Sequence, residues 1–441
     1  MGRGMGPGDE AVLRNPWWIP RFLGRVPEGV GSGDLRLVGA VGLALAFFNF
    51  DLAVGGQAIK FVREDFGLPQ SEIGRVMAMF RLGAIPAFFL IPFADLIGRR
   101  RLFLGCVVGA ALLTAATALA QSVDQLVLLQ MAGRVFIVTG IALSFVIVAE
   151  ELPAAHRGWG AGVVAAMAAF GIAAGAMLFA AIDLLPYGWR TQFAAGGLAF
   201  LFLARLRAHV PETSRFVRGR AEAGAVSGAL AGWLRPMREL VGLYPLRVVV
   251  VVLIGALTAG AMGPAFTLAP DYVLTDHGWT PAMFSGFFLV GGLVGIAGNT
   301  VVGRLGDRYG RRVVGFVVFA GMAVFGYAFY SGSSWMLPFV WAPLVFVATG
   351  GGVITKALAT ELFPTSARGT STGWLVLLEA LGAGFGLWLV TALTTPGESI
   401  APALTLVVAS ALVAALLVLL LPETAGVELE QSSGESIPPP L

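Results

Sequence analysis

The sequence PFADLIGRRR, at residues 92–101, places one acid and three consecutive arginines between two long apolar stretches. Nearly the same pattern returns in VVGRLGDRYGRRVV, at residues 301–314. Asp95 and Asp307 stand 212 positions apart, and in both copies a glycine follows three residues later and precedes Arg-Arg. A chain that repeats a charged segment at almost half its length is expected to contain two similar halves.

The composition predicts a membrane protein. Hydrophobic residues make up 57% of the chain and charged residues 12%, whereas soluble domains carry about 25% charged residues. About 20 apolar residues in a helix cross the hydrocarbon core, where backbone groups must be hydrogen-bonded within the segment. Twelve such spans are predicted, at residues 37–58, 75–97, 102–121, 125–149, 159–183, 192–209, 248–274, 282–303, 313–330, 335–359, 370–393 and 400–421.

The distribution of basic residues predicts the orientation of the chain. With both termini in the cytoplasm, 22 of the 29 Lys and Arg residues fall in cytoplasmic segments and three within spans. Because basic loops are translocated poorly, this bias predicts a multi-pass protein of the cell inner (plasma) membrane with both termini cytoplasmic. The net charge of +3 therefore reflects topology, and we predict no nucleic-acid partner. The outside segments hold only Lys60, Arg63, Arg75 and Arg190.

Two further motifs recur at the same spacing. EELPAAHRG at residues 150–158 matches ELFPTSARG at residues 361–369, and Pro-Glu-Thr begins at Pro211 and again at Pro422. Both pairs are 211 positions apart. The repeats predict two homologous six-span halves. The predicted domains are a cytoplasmic tail at 1–36, a six-helix bundle at 37–209, a cytoplasmic interdomain loop at 210–246, a second bundle at 247–421 and a cytoplasmic tail at 422–441.

These motifs carry a family resemblance. The loop motif that begins at Asp95, with its copy at Asp307, resembles the signature of the major facilitator superfamily. The Glu-x-x-Pro-x-x-x-Arg-Gly pair and the two Pro-Glu-Thr stretches resemble the sugar porter and metabolite:proton symporter branch. The resemblance covers roughly residues 37–430. It implies an all-α membrane protein of twelve transmembrane helices in two pseudo-symmetric six-helix bundles, which transports by alternating access.

The resemblance also implies that the repeated loops form a cytoplasmic gate. Partly desolvated charge clusters at helix ends are consistent with that role, since pairing matters more there than at an open surface. The alternative is that the arginines only enforce topology, although topology requires neither the acids nor their spacing. The predicted gate residues are Asp95, Arg99, Glu150 and Arg157 in the first half, and Asp307, Arg311, Lys356, Glu361 and Arg368 in the second.

Charged residues inside spans are candidates for transport chemistry, since each costs at least about 2.5–3.5 kcal/mol to insert. At a rise of about 1.5 Å per residue, Asp51, Arg81 and Arg134 each lie about 20 Å from the cytoplasmic end of their spans. In the proton-coupled members of the resembled branch, an acid in the first span pairs with an arginine in the fourth. Asp51 and Arg134, with Arg81 nearby, are therefore predicted to couple protons. The alternative is a purely structural buried pair.

Several other residues are candidate substrate ligands. Glu379 lies near the predicted midplane and either lines the cavity or pairs with a neighbouring span. Trp374 and Trp388 flank it and could stack on a ring-shaped ligand or face lipid, and Lys356 could snorkel or pair at the gate instead of contacting substrate. Asn49 and Gln57 could donate hydrogen bonds to a substrate. Two prolines, Pro264 and Pro270, predict an interrupted seventh span.

The sequence thus predicts a secondary active transporter that moves a small polar metabolite, an organic acid or a sugar, by proton symport. Of the five charged residues considered within the spans, three are basic and two are acidic, which favours an organic acid over a neutral sugar. The alternative is a proton-driven exporter. No phosphate-binding loop, metal-ligand cluster or nucleophile–base motif is present, so we predict neither a cofactor nor an enzyme. The expected partners are a small-molecule substrate, protons and membrane lipid, and the functional unit is predicted to be a monomer.

Overall fold

The computed structural model describes residue 16 and residues 18–19, 26–213, 242–363 and 368–425. Within these residues the regular structure is helical, without strands. Eleven helices in this part of the chain are long and apolar enough to cross a membrane. A twelfth span, at residues 189–209, consists of Trp189–Ala195, a short turn and Ala199–His209. The prediction of twelve membrane-spanning segments is confirmed.

We label the spans α1 to α12 in chain order. The first six are α1 (Ser32–Gln57), α2 (Gln70–Leu90), α3 (Arg99–Thr117), α4 (Val123–Glu151), α5 (Arg157–Ala180) and α6 (189–209). The second six are α7 (Pro245–Asp276), α8 (Pro281–Tyr309), α9 (Arg311–Ser331), α10 (Leu337–Glu361), α11 (Arg368–Leu393) and α12 (Ala401–Val418). Since the number of spans is even, both chain ends lie on one side of the membrane, which we call the tail face; the other side is the opposite face.

The helices pack in the same way in both halves. In the first half α1 packs on α5, α2 on α4 and α3 on α4, and in the second α7 packs on α11, α8 on α10 and α9 on α10. Between the halves, α2 contacts α11 and α8 contacts α5. Because α2 corresponds to α8 and α5 corresponds to α11, these two contacts are equivalent. This is the packing expected of two parallel repeats. The domain boundaries stay predictions, because most of the interdomain segment lies outside the described residues.

Small residues bring two helices of each half into backbone contact. A Cβ added at Gly171 of α5 would lie 1.9 Å from the carbonyl oxygen of Ala46 in α1. In the second half, a Cβ at Gly382 of α11 would lie 2.3 Å from the carbonyl oxygen of Ala256 in α7. Without a hydrophobic drive between helices in lipid, such close approach of backbones is a main source of helix association. The equivalent positions again differ by 210 or 211 residues.

One prediction about helix continuity is wrong. The prolines of the seventh span do not interrupt it, since α7 is one helix of 32 residues with Pro264 and Pro270 inside it. The sixth span contains a 3₁₀ turn at Gly196–Leu198. A Cβ at Gly196 would lie 2.5 Å from Thr114 in α3. This turn therefore lies where α6 approaches α3 closely.

The Pro-Glu-Thr stretch of the first half caps a membrane helix. Gly98 has a φ of 104°, a conformation that favours glycine, and α3 begins at the next residue. The backbone N–H of Arg100 donates to the Glu212 carboxylate at 3.1 Å, and the Arg100 guanidinium donates to the carbonyl oxygen of Arg207 at 2.7 Å. Because the first N–H groups of a helix lack partners and carry partial positive charge, an anion there is stabilising.

The second Pro-Glu-Thr stretch does the same at α9. Gly310 has a φ of 99°, and the N–H groups of Arg311 and Arg312 donate to Glu423 at 2.6 and 3.1 Å. The Arg312 guanidinium donates to the carbonyl oxygen of Leu419. Partial burial raises the pKa of Glu423, but the N–H groups of residues 425, 311, 312 and 424 lower it more, so it lies below its ordinary value. Both halves thus end in a carboxylate that caps the third helix of the half.

Replacement of Glu423 by alanine is expected to lower the free energy of unfolding by about 1 kcal/mol, since α9 loses its cap. Because the pKa of Glu423 is lowered in the folded state, its contribution is fully present above the ordinary value of 4.5 and disappears as the pH falls through the lowered pKa. Thermal unfolding in detergent at several pH values measures the effect. Glu398→Ala, at an exposed position without a cap, is the control, and equal melting of the two variants contradicts the prediction.

Candidate functional site

Two adjoining cavities lie between the halves. The first, of about 240 Å³, is lined by residues of α1, α2, α4, α5, α7 and α8. The second, of about 390 Å³, is lined by residues of α2, α7 and α11. Arg81 and Phe266 line both cavities. Together they form a central site that is made by helices of both halves, as expected of a carrier.

Two arginines of the first half reach this site. Arg81 in α2 donates to the hydroxyl of Thr267 in α7 at 3.1 Å, a bond that crosses between the halves. Arg134 in α4 lines the first cavity with it. In the described part of the chain no carboxylate lies within 4 Å of either guanidinium. The cavity therefore holds two cations whose charge is not compensated by a direct partner. This is unusual, because buried charges are normally paired.

The first cavity is lined by both polar and aromatic side chains. Gln57 of α1 is 3% exposed, and neither its amide nitrogen nor its amide oxygen has a hydrogen-bond partner. Asn49 also lines this cavity, although its amide N–H donates to the carbonyl oxygen of Leu45 at 2.9 Å. Phe266 of α7 and Phe288 of α8 contribute aromatic rings to the lining of the same cavity. Such a site can bind a molecule that has an anionic end and an apolar ring.

Asp51 is close to this site but faces away from it. Its side chain is 7% exposed and one oxygen accepts a hydrogen bond of 2.6 Å from the hydroxyl of Thr114 in α3. The other oxygen has no partner and would lie 2.9 Å from a Cβ at Gly196 in α6. The described structure contains no ion pair between Asp51 and Arg134, which interact only over a longer distance. Proton coupling through Asp51 stays a prediction.

The remaining predicted ligands are distributed unevenly. Glu379 lines the second cavity opposite Arg81 and interacts electrostatically with Lys356, which is exposed. Trp374 packs edge-on against Phe88 of α2 at 5.3 Å, so it contributes to the contact between the halves. Trp388 does not line either cavity; it is 50% exposed and stacks on a second exposed ring, that of Phe385.

Ion pairs lie at the tail face of each half, among residues of the repeated motifs. In the first half the Arg99 guanidinium lies 3.4 Å from the Glu150 carboxylate. Arg157 instead donates to the carbonyl oxygen of Leu152 at 3.2 Å, which caps the end of α4. The side chain of Asp95 lies outside the described part of the chain.

The cluster of the second half has the equivalent pair. Arg311 lies 3.0 Å from Glu361 and 2.6 Å from Asp307, and the hydroxyl of Thr424 donates to Glu361 at 2.5 Å. The side chain of Arg368 lies outside the described residues. The contacts described above each join residues of one half, and the role of these residues as a gate stays a prediction.

A polar network at the opposite face joins the two halves, and the sequence analysis missed it. Asp271 of α7, fully buried, accepts from Arg63 at 3.1 Å and from Gln70 at 2.8 Å. Lys60 donates to the carbonyl oxygen of Leu274 at 3.2 Å. We call these contacts the opposite-face network. The signal was present, because Asp271 is an acid inside the predicted span 248–274. Its inclusion removes the excess of basic residues that had favoured an organic acid.

Comparison with known proteins agrees with this architecture. The profile of the Major Facilitator Superfamily matches residues 39–355 and 298–441. The chain belongs to this superfamily. The gallate transporter of Pseudomonas putida is 29% identical over 413 residues, which cover 86% of this chain and 89% of that protein. The 4-hydroxybenzoate transporter PcaK of Pseudomonas putida is 27% identical over 385 residues, which cover 77% and 82%.

A solved structure shows the same fold. The inward open xylose transporter XylE from E. coli superposes with a TM-score of 0.72 at 20% identity, covering 91% of this chain and 99% of that one. The chain is therefore a secondary transporter of small metabolites and not an enzyme.

Replacement of Thr114 by valine is expected to lower the free energy of unfolding by about 2 kcal/mol, because the buried Asp51 carboxylate loses its hydrogen-bond donor. Thr114→Ser keeps the hydroxyl and should be close to the parent, so it controls for the change of shape. Thermal unfolding in detergent compares the three proteins. Equal losses in both variants would show that packing, and not the hydrogen bond, accounts for the effect.

Proposed function

We propose that this protein takes up an aromatic organic acid by proton symport across a bacterial plasma membrane. Both termini, and therefore the tail face, are cytoplasmic. The transporting unit is a single chain, in which the halves rock around the central site so that it opens alternately to the two faces. In the conformation described here, the opposite-face network keeps the opposite face closed. From this conformation, the central site can therefore open toward the tail face.

The observation that carries this proposal is the pair of arginines in the central site. An ionised carboxylate between Arg81 and Arg134 supplies the negative charge that the described surroundings lack. A guanidinium binds a carboxylate through two parallel hydrogen bonds, which fixes the orientation of the bound acid.

The other side chains of the first cavity select the rest of the substrate. Phe266 and Phe288 offer ring faces on which an aromatic ring can pack. The unpartnered amide of Gln57 can exchange hydrogen bonds with a hydroxyl on that ring. The transporters of gallate and of 4-hydroxybenzoate, to which this chain is similar, are named for substrates of this class. A sugar would leave both guanidinium groups without an anion.

Asp51 is the proposed proton carrier. It is buried, holds one hydrogen bond and has a second oxygen without a partner, so it can gain a proton without breaking the Thr114 contact. Arg134 interacts electrostatically with Asp51 and also lines the first cavity. Its positive charge is therefore near both the proposed proton carrier and the proposed substrate site. The negative charge of a carboxylate that binds at Arg134 is therefore balanced by the positive charge of a proton that binds at Asp51.

Replacement of Arg134 by glutamine is expected to raise the KM for uptake of 4-hydroxybenzoate by about tenfold to a hundredfold, since a charged hydrogen-bond partner is lost. Uptake into proteoliposomes under an imposed pH gradient measures it. Arg75→Gln, which removes an exposed arginine paired with Glu72 at 2.9 Å, is the control and should leave the KM unchanged. Uptake of xylose with no uptake of 4-hydroxybenzoate or gallate by the parent contradicts the proposed substrate class.

Replacement of Asp51 by asparagine is expected to abolish accumulation driven by a pH gradient and to retain exchange of substrate across the membrane. Asparagine keeps an acceptor for the Thr114 hydroxyl but cannot release a proton. Accumulation and counterflow are measured in the same proteoliposome preparation, so counterflow serves as the folding control. Unchanged accumulation would remove Asp51 from the coupling mechanism, and Glu379 would then be the acid to test.

A further inference from the structure

We propose that Asp271 is a proton-operated lock of the opposite face. In its ionised form it holds the two halves together through Arg63 and Gln70, and binding of a proton to it opens this face. The inference goes beyond the proposed transport of an aromatic acid, and only its physiological use rests on proton symport.

The position of Asp271 is the first argument. The side chain belongs to α7 of the second half and is completely buried, while both of its donors belong to the first half. Arg63 lies in the short helix Ile59–Asp65 that follows α1, and Gln70 begins α2. Each carboxylate oxygen accepts one of these bonds, so a single side chain closes the seam between the halves.

The neighbouring contacts depend on the same geometry. Arg63 also donates to the hydroxyl of Thr275 at 3.2 Å, and Gln70 also lies 3.3 Å from the carboxylate of Asp276. With the bond from Lys60 to the carbonyl oxygen of Leu274, the last turn of α7 is held by three side chains of the first half. A change at Asp271 therefore affects the entire polar contact at this face.

The charged groups around Asp271 favour this residue as the acting acid. From the second half the nearby titratable groups are Asp276 and His277, which directly follows α7 and interacts with Asp276. From the first half the charged groups are Lys60, Arg63 and Glu64. Asp276 and Glu64 are exposed, so water and salt screen them. Asp271 is the buried carboxylate that contacts Arg63 directly, at 3.1 Å.

Protonation of Asp271 shifts the equilibrium between the closed and open states in one direction. A protonated Asp271 no longer carries the buried negative charge that compensates Arg63, whose side chain is only 13% exposed and which keeps only a longer contact of 3.9 Å to the exposed Glu64. A buried cation without its counter-ion is strongly unfavourable. Separation of the halves at this face gives Arg63 access to water and relieves that cost. The proton thus favours the open state, and the ionised carboxylate favours the closed state.

One other described contact between the halves carries no charge. The contact between α5 and α8 at the same face is apolar, with the rings of Phe179 and Phe284 6.0 Å apart. The Arg99–Glu150 and Arg311–Glu361 pairs each join residues within one half, so loss of these two pairs does not in itself separate the halves. The lock therefore depends on the opposite-face network.

The test measures the distance across the opposite face by electron paramagnetic resonance between two spin labels. The labels are attached at Leu119→Cys and Trp335→Cys, exposed loop positions of the first and second half that are 78% and 71% exposed. The single native cysteine, Cys106, is buried and is replaced by serine. The protein is held in lipid nanodiscs without substrate, between about pH 8 and about pH 5.5.

The parent is expected to show a short distance at high pH and a growing long-distance population at low pH. While that population is minor, an opening that requires one proton increases it about tenfold per pH unit. Asp271→Asn imitates the protonated side chain and should show the long distance across the whole pH range. Asp276→Asn, the matched control in the same network, should behave as the parent does.

Arg63→Gln provides a second route, since it removes the ion pair from the other side and should open the face at high pH. The Arg63→Gln variant tests the proposal if the Asp271→Asn variant does not give monodisperse protein. A closed Arg63→Gln, or an Asp271→Asn variant that stays closed or keeps the pH response of the parent, overturns the proposal. Because no substrate is present, these outcomes are independent of the uptake experiments that test the proposed function.

Discussion

An ionised group that the chain carries into the membrane needs a partner within the protein or a polar cavity, because hydrocarbon offers neither. The structure shows three arrangements of such groups. At the tail face the partners belong to the same half, as in Arg99 with Glu150. At the opposite face they belong to different halves, as in Arg63 with Asp271. In the central site Arg81 and Arg134 have no carboxylate partner in the described residues, and in the proposed function a substrate anion takes that place.

This distribution gives the two faces different mechanical properties. A charge cluster within one half makes that half stiff and leaves its position relative to the other half free. A charge pair across the halves fixes their relative position and lasts only as long as both charges do. The Arg81–Thr267 bond is intermediate, since it crosses the halves beside the cavity. In the proposed function a bound carboxylate competes for the same guanidinium, which would link substrate binding to the relative position of the halves through Arg81.

The parts of the fold that the sequence predicted are those encoded by spacing along the chain. The repeated motifs at offsets of 211 and 212 predicted two equivalent halves, and Arg99 with Glu150 and Arg311 with Glu361 form equivalent pairs. Helical rise predicted the common depth of Arg81 and Arg134. Depth does not determine the direction in which a side chain points, because the rotation of a helix depends on its neighbours. Asp51 therefore faces Thr114 and not the cavity. Asp271 was missed because its partners lie about 200 residues earlier and carry no recognisable spacing.

The Glu423 cap also changes the meaning of the chain end. The last membrane helix ends at Val418, yet the carboxylate that satisfies the start of α9 and the hydroxyl that contacts Glu361 follow it, at Glu423 and Thr424. A stop codon or an affinity tag placed directly after the helix would remove a structural part of the second half. A C-terminus that ends before Ala425 also loses the N–H group of that residue, a further donor to the Glu423 carboxylate.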